Sequence, residues 1–166
     1  MKISVIYHSI TGNTGKMAGR IVEGARSVEG IEAEAFAVDA IDGEFLDASH
    51  CVVLGTPVHF ASMSTPVKAW FDTAPRKYKL AGKLAGAFAT ANYIHGGGEV
   101  AIQSVLSHLM VCGMMTYSGG GAFGVPVIHF GPVAIGSKLE EFGELFETYG
   151  RRMALQTLSL FGEDGK

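Results

Sequence analysis

The sequence contains few residues that could form disulfide bonds or bind a metal ion. Its 166 residues include only two cysteines, Cys51 and Cys112. Two cysteines cannot build the disulfide framework of a small secreted domain, so we expect both to be buried free thiols in a reducing cytoplasm. The chain also lacks Cys and His residues at the spacing of metal ligands, and no metal site is predicted.

Long apolar runs and an excess of one charge sign are also missing. The apolar runs at residues 51–54 and 125–128 are much shorter than the roughly 20 residues of a membrane-spanning helix. No signal-peptide pattern precedes the strand-like run that starts at Ile3. The 13 basic and 16 acidic residues give a net charge of −3 without a basic run. The sequence therefore predicts neither membrane insertion nor a nucleic-acid partner.

Apolar residues and glycines are plentiful. Hydrophobic residues make up 48% of the chain and charged residues 17%, which excludes a disordered polyelectrolyte and predicts one domain over residues 1–166. The 23 glycines recur throughout the chain and cluster at residues 96–98 and 119–121, so they do not form a linker. They indicate tight turns or a backbone that lies close to a ligand.

Strand-like and helical patterns alternate along the chain. The strands are expected at residues 3–7, 31–38, 51–54, 84–91 and 114–117. Helices are expected at residues 17–25, from Pro66 onward with Thr65 as the N-cap, at 99–111, and at 139–153 after a Ser137/Glu140 capping box. This order predicts an α/β fold, a doubly wound parallel sheet of about five strands with helices on both faces. Ligands of such a fold bind at the carboxyl ends of the strands.

Three loops leave those carboxyl ends, at residues 9–14, 56–62 and 90–98. The first loop supplies three hydroxyls, an amide and Gly12 in front of a helix, a combination that suits a phosphate dianion. An ordinary polar turn with a helix cap is the alternative. The Gly119-x-Gly121-x-x-Gly124 string is followed by Pro126 and not by a helix, so we discount it as a dinucleotide fingerprint.

Two motifs resemble those of one protein family. Ser9-x-Thr11-Gly12-x-Thr14 is similar to the flavodoxin signature that binds the phosphate of FMN. The second loop, Gly55-Thr56-Pro57-Val58-His59-Phe60, resembles that of the WrbA-type NAD(P)H:quinone oxidoreductases, a branch of the flavodoxin-like family. The similarity covers essentially the whole chain. It implies a flavodoxin-like sheet with strand order 2-1-3-4-5.

The resemblance implies an FMN site made by all three loops. Its residues would be Ser9, Ile10, Thr11, Gly12, Asn13 and Thr14 in the first loop, Pro57, Val58, His59 and Phe60 in the second, and Thr90, Ala91, Asn92, Tyr93, Gly96 and Gly97 in the third. Backbone N–H groups of Val58, His59 and Phe60 would reach the pyrimidine edge of the flavin. Phe60 and Tyr93 would flank its ring, unless they only pack against neighbouring loop residues. His59 and His95 are the candidates for proton transfer.

The implied function is electron transfer from NAD(P)H through FMN to a quinone or a similar acceptor. A flavodoxin-type one-electron carrier that docks a redox partner protein is the alternative, although a net charge of −3 supports an acidic docking surface only weakly. A regulatory or scaffold domain without FMN is a third interpretation. The chain departs from the WrbA pattern because it lacks an insertion before the third strand and carries His59 and Cys112 in place of Arg and His. Trp70 and the apolar residues around Met63 suggest a homodimer.

Overall fold

The structure, a computed structural model, describes residues 1–162. Its strands are β1 (Lys2–Tyr7), β2 (Glu32–Ala37), β3 (Cys51–Pro57), β4 (Leu84–Ala91), β5 (Met115–Thr116) and β6 (Val133–Ile135). Its α-helices are α1 (Asn13–Arg26), α2 (Gly43–Ala48), α3 (Thr65–Lys77), α4 (Gly98–Val111) and α5 (Gly143–Phe161), and a 3-10 helix spans Gly136–Phe142. Among the described residues, no helix combines the length and apolar character needed to cross a membrane.

The strands form one parallel sheet in the order β2-β1-β3-β4-β5, with β6 also paired to β4. This confirms the predicted α/β fold and the strand order 2-1-3-4-5. Helices α1 and α5 cover one face, where Phe88 and Phe146 belong to the core. Helices α3 and α4 cover the other face, around Leu54 and Val105. The carboxyl ends of β1, β3 and β4 therefore lie side by side.

Helices α1 and α5 pack so closely that glycine is required between them. A Cβ atom on Gly24 would lie 1.9 Å from the carbonyl oxygen of Glu147, and one on Gly150 would lie 2.0 Å from that of Ile21. Real Cβ atoms do not approach backbone that closely. Part of the glycine excess thus serves helix packing and not ligand binding.

The outer edge of the sheet is split into two short strands. β5 pairs with the start of β4 through Met115 and Thr116, and β6 pairs with its end from Ala89 to Ala91. Between them residues 117–132, called the edge excursion below, leave the sheet. In the gap the Ala87 N–H donates to the Tyr149 hydroxyl at 3.1 Å, which replaces a strand partner. The apolar run at residues 125–128 lies in this excursion and forms no strand.

Arg152 anchors the edge excursion. Its side chain, in a residue only 4% exposed, donates to the carbonyl oxygens of Pro126 at 2.7 Å and of Gly120 and Gly124 at 3.4 Å each. Its guanidinium also lies 5.8 Å from the centre of the Phe123 ring. The glycine cluster at 119–121 therefore belongs to a turn that carries acceptors for a buried cation.

Several local predictions were wrong. Ser137 and Glu140 lie inside the 3-10 helix and form no capping box, because α5 begins only at Gly143. Ser64, not Thr65, is the N-cap of α3. Helix α2 was not predicted, since six residues are too few to show helical periodicity.

The proposed self-association surface is not exposed. Trp70 and Met63 are buried in the core beneath α3, where the Trp70 ring packs against Phe71 at 5.1 Å. Neither side chain is available to a second copy, because each already fills the interior. The homodimer stays a prediction without this support. Cys51 is buried as expected, and Cys112 lies half-buried at the end of α4.

Candidate functional site

The first loop joins β1 to α1 and provides unpaired donors. Gly12 is the N-cap of α1 in the left-handed conformation, with φ of 89°, and no acidic residue stands in the first turn. Ser9 Oγ is buried without a hydrogen-bond partner among residues 1–162. Thr14 Oγ1 is hydrogen-bonded to Thr90 Oγ1 at 2.8 Å, which joins this loop to the third. An orphaned hydroxyl beside the free N–H groups of a helix start fits a phosphate group.

The second loop makes a tight four-residue turn. His59 N–H donates to the Ser62 carbonyl and Ser62 N–H to the His59 carbonyl, each at 3.0 Å. Phe60 and Ala61 both have positive φ, at 50° and 58°. We call residues 59–62 the strained turn. It presents the Phe60 side chain fully to solvent.

The strained turn corrects one expectation about flavin contacts. The Val58 N–H donates to the Thr90 carbonyl at 2.9 Å, and the His59 N–H is used within the turn. Neither N–H is available to the pyrimidine edge of a flavin in this conformation, contrary to what the resemblance implied. Of the three expected donors, only Phe60 N–H is not in such a bond.

The second and third loops touch at Gly97. Gly97 has φ of 84°, and a Cβ atom there would lie 2.4 Å from Ala61 Cβ. A side chain at position 97 would therefore push the strained turn away. Gly97 is the N-cap of α4, so this contact fixes the turn to the start of a helix.

Two adjoining cavities, of about 400 and about 230 Å³, share lining residues and form one groove between the three loops. We call it the main groove. It is lined by Ile10, Thr11, Asn13, Thr14, Pro57, Val58, His59, Phe60, Thr90, Ala91, Asn92, Tyr93 and Gly96. Its size suits a small-molecule ligand. The structure thus brings most of the sequence-predicted site residues together.

Four predicted residues lie outside the lining of the main groove. Ser9 and Gly12 line a cleft behind the first loop. Gly97 supports the strained turn, and His95 lines a separate cavity beyond the third loop. The two proposed proton-transfer residues are therefore not in one site.

His8 lies beside the candidate site, in the cleft behind the first loop, and the sequence interpretation did not include it. Its Nδ1 is 2.9 Å from Ser64 Oγ, and its ring centre is 6.5 Å from that of His59. Burial lowers the pKa of His8, the nearby His59 lowers it further, and Asp39 acts in the opposite direction. The available signal was its position directly before the first loop.

Among residues 1–162, no carboxylate lines the main groove, and His59 is the one histidine in that lining. Hydroxyls, amides and backbone N–H groups supply its polarity. The groove and the adjoining start of α1 lie at the carboxyl edge of a doubly wound sheet, and their neutral donors suit a nucleotide phosphate.

Comparisons with known proteins agree with that class. The family model described as NADPH-dependent FMN reductase matches residues 43–126. A flavodoxin of Clostridium saccharobutylicum is 42% identical over 161 residues, which cover 97% of this chain and 100% of the relative. An NAD(P)H dehydrogenase (quinone) of Methanosarcina barkeri is 30% identical over an alignment that covers 69% of this chain and 70% of the relative.

A solved structure shows the same fold. The flavodoxin, WrbA-like protein from Agrobacterium tumefaciens superposes with a TM-score of 0.78 at 23% identity, covering 94% of this chain and 96% of that one. The chain belongs to the flavodoxin-like family, and its relatives include both flavodoxins and NAD(P)H dehydrogenases (quinone). The predicted resemblance is confirmed. The orphaned Ser9 hydroxyl, the helix start at Gly12 and the neutral groove fit FMN.

Proposed function

We propose that the chain is an FMN-dependent oxidoreductase that passes electrons from NAD(P)H to a quinone or a similar small acceptor. The observation that carries this proposal is that, in the part of the chain that the structure describes, no carboxylate lines the main groove. Carboxylates there would oppose both the negative charge gained by a flavin on reduction and the approach of an anionic donor. A neutral groove that contains a histidine favours reduction of the flavin and the approach of the donor.

FMN, when bound, supplies hydride and electron transfer. The first loop would hold its phosphate through the N–H groups at the start of α1 and the hydroxyls of Ser9 and Thr11. Phe60 and Tyr93 both line the groove and would pack against a planar ring. His59 can hold a proton at an imidazole nitrogen in the groove and release it to an acceptor. His95 lies outside the groove, so we assign proton transfer to His59 alone.

The role of His59 is tested with FMN-loaded protein and a quinone such as menadione, using NADPH and NADH separately. We expect turnover, and we expect His59→Gln to lower kcat by about 100-fold with little change in FMN content. His129→Gln, an exposed histidine of the edge excursion, is the matched control and retains wild-type turnover. Fully loaded protein that oxidises neither donor contradicts the enzyme proposal.

A flavodoxin-type carrier is the second candidate, and the 42% identical flavodoxin that the chain covers completely favours it. A carrier docks a redox protein and has no NAD(P)H turnover of its own. Stepwise photoreduction separates the two functions. A carrier accumulates a one-electron-reduced flavin with long-wavelength absorbance, whereas a two-electron enzyme passes to the fully reduced form without it.

FMN binding itself has a direct test. We expect apoprotein to quench FMN fluorescence on titration, and Ser9→Ala to weaken the affinity by about tenfold because one donor to the phosphate is lost. Ser107→Ala, on the exposed side of α4, should leave the affinity unchanged. Apoprotein that does not bind FMN would instead support a scaffold domain.

A further inference from the structure

A second cavity opens beside the main groove, on the far side of the third loop. It measures about 660 Å³, and its apolar walls are Tyr93, Ile94, Ile135 and Phe142. We call it the side cavity. It lies between the third loop and the 3-10 helix, and none of the functions described above uses it.

Two apolar side chains of the side cavity are strongly exposed to solvent. Ile94 is 80% exposed and Tyr93 is 68% exposed. Leaving such side chains in water forgoes the free energy that their burial would release. Large apolar side chains that are exposed together around a cavity often mark a binding site.

The polar residues of the side cavity do not supply a net charge for an ionic ligand. Lys138 Nζ lies 3.4 Å from Glu141 Oε1, so the one lysine is paired with a carboxylate. The rest of the polar lining is Asn92, His95 and Ser137. The phosphates of a dinucleotide would therefore meet one lysine that already has a carboxylate beside it. The cavity therefore selects an uncharged, apolar group and not the nucleotide part of NAD(P)H.

The side cavity adjoins the main groove. Asn92 and Tyr93 line both. Behind them a Cβ atom on Gly136 would lie 3.0 Å from Asn13 Nδ2 and 3.7 Å from Asn92 Oδ1, so the first loop, the third loop and the 3-10 helix meet at this wall. The main groove and the side cavity therefore share one wall.

We propose that the side cavity binds the apolar substituent of the electron acceptor, which makes the acceptor a quinone with an alkyl or isoprenoid side chain. This inference rests on the proposed function. The ring would meet the flavin in the main groove, while the side chain covers Ile94 and Phe142. Burial of the substituent against these residues raises affinity in proportion to the apolar area that leaves water.

The test compares two quinones that share one ring, one with a methyl and one with a decyl substituent. Their binding to the FMN-loaded protein is measured by calorimetry, beside KM for each. We expect the decyl quinone to bind at least about tenfold more tightly, and Ile94→Ser to reduce that preference to about threefold or less. Val111→Ser, on an equally exposed apolar residue of α4, controls for unspecific adsorption and keeps the wild-type preference. The methyl quinone should bind all three proteins equally.

Three results overturn the inference: equal affinity for both quinones, an unchanged preference in Ile94→Ser, or conversion of a dimer to a monomer by that substitution. In the last case the occupant is a second copy of the chain. Failure of the proposed function is distinguishable, because binding can show the decyl preference without any NAD(P)H turnover. Turnover without the preference contradicts the side cavity alone.

Discussion

Backbone strain is concentrated in two adjacent side-chain-bearing residues of the candidate site. Phe60 and Ala61 both occupy the left-handed region, which costs residues other than glycine of the order of 1 kcal/mol each. Two backbone hydrogen bonds and the contact of Ala61 with Gly97 hold them there. Such strain persists where the surrounding structure imposes it, and here it holds Phe60 out in solvent at the mouth of the main groove.

Relief of this strain is measurable. Ala61→Gly should raise the free energy of unfolding by about 0.5–1 kcal/mol, since glycine adopts positive φ without penalty. Ala69→Gly, at an exposed position inside α3, should instead lower it by about 1 kcal/mol, because glycine disfavours a helix. Urea unfolding of both variants provides the comparison. Destabilisation of similar size in both would show that the turn is unstrained.

His8 makes stability depend on pH. Burial, followed by the charge of His59, lowers its pKa below the ordinary value of 6.5, so the unfolded chain binds more protons than the folded one in that range. Stability should therefore fall as the pH drops below 6.5. The pKa of His50 is lowered as well, chiefly by burial, and adds to the same trend.

Replacement of His8 isolates its contribution to the pH dependence of stability. Between about pH 7.5 and about pH 5, His8→Gln should lose less unfolding free energy than the wild type, whereas His129→Gln should follow the wild-type curve. Chemical denaturation at the two pH values measures the difference. Identical losses in all three proteins would mean that His8 has the same proton affinity in both states.

At the scale of elements, a strand was predictable from the sequence when it was long and buried on both faces. The run LAGAFATA reads as a strand because all eight residues of β4 are buried between two layers of helices. β5 and β6 have two and three residues, too few to show any periodicity, and they exist only because the distant β4 pairs with both. The positions of the site loops were predictable for the same reason as β4, since they follow long buried strands. The geometry of the turn at residues 59–62 and the position of His95 outside the main groove depend on contacts between loops. A local sequence pattern does not predict such contacts.

Helix α2 depends on a lysine from a different part of the chain. Lys83 is only 7% exposed, and its ammonium group donates to the carbonyl oxygens of Leu46 and Asp47 at 2.8 Å each and to that of Ser49. Leu46 and Asp47 belong to the last turn of α2, and Ser49 is its C-cap, so Lys83 supplies donors to carbonyls at the end of the helix. The Leu46 carbonyl also accepts a hydrogen bond from the Ser49 N–H at 3.2 Å. Burial lowers the pKa of Lys83, while the neighbouring Asp47 raises it.

Loss of this cap should destabilise the fold. Lys83→Met leaves three carbonyl groups without their charged donor, and we expect a loss of about 2–3 kcal/mol in unfolding free energy. Lys79→Met, an exposed lysine nearby whose backbone N–H keeps its bond to Asp47, should change it by less than about 0.5 kcal/mol. Thermal unfolding of both variants decides between these values, and equal effects would contradict a capping role.

For the whole molecule, one buried cation joins the C-terminal helix to the sheet edge. Arg152 reaches from α5 to three carbonyl oxygens of the edge excursion, and no carboxylate takes part in that contact. These three hydrogen bonds and the contact with the Phe123 ring are not needed to form the sheet, since β5 and β6 pair with β4 through their own backbones. Arg152 instead sets the conformation of residues 117–132.

A matched pair of variants tests that role. Arg152→Met should free the edge excursion and make it sensitive to chymotrypsin at Phe123 and Phe130, whereas Arg151→Met, an exposed neighbour on the same helix, should stay resistant. FMN affinity should be unchanged in both, because no residue of the excursion lines the main groove. Cleavage at equal rates in both variants would contradict an anchoring role for Arg152.

The split sheet edge also provides a position at which a peptide from another protein can be inserted. Gly121, Ala122 and Phe123 form an exposed tip, and Arg152 holds the chain on both sides of it at Gly120 and Gly124. A peptide spliced in at Ala122 would lengthen a segment whose two ends β5 and β6 already hold in register. A reporter or an immobilisation tag could therefore be carried there, within the chain and away from both termini, without altering the groove.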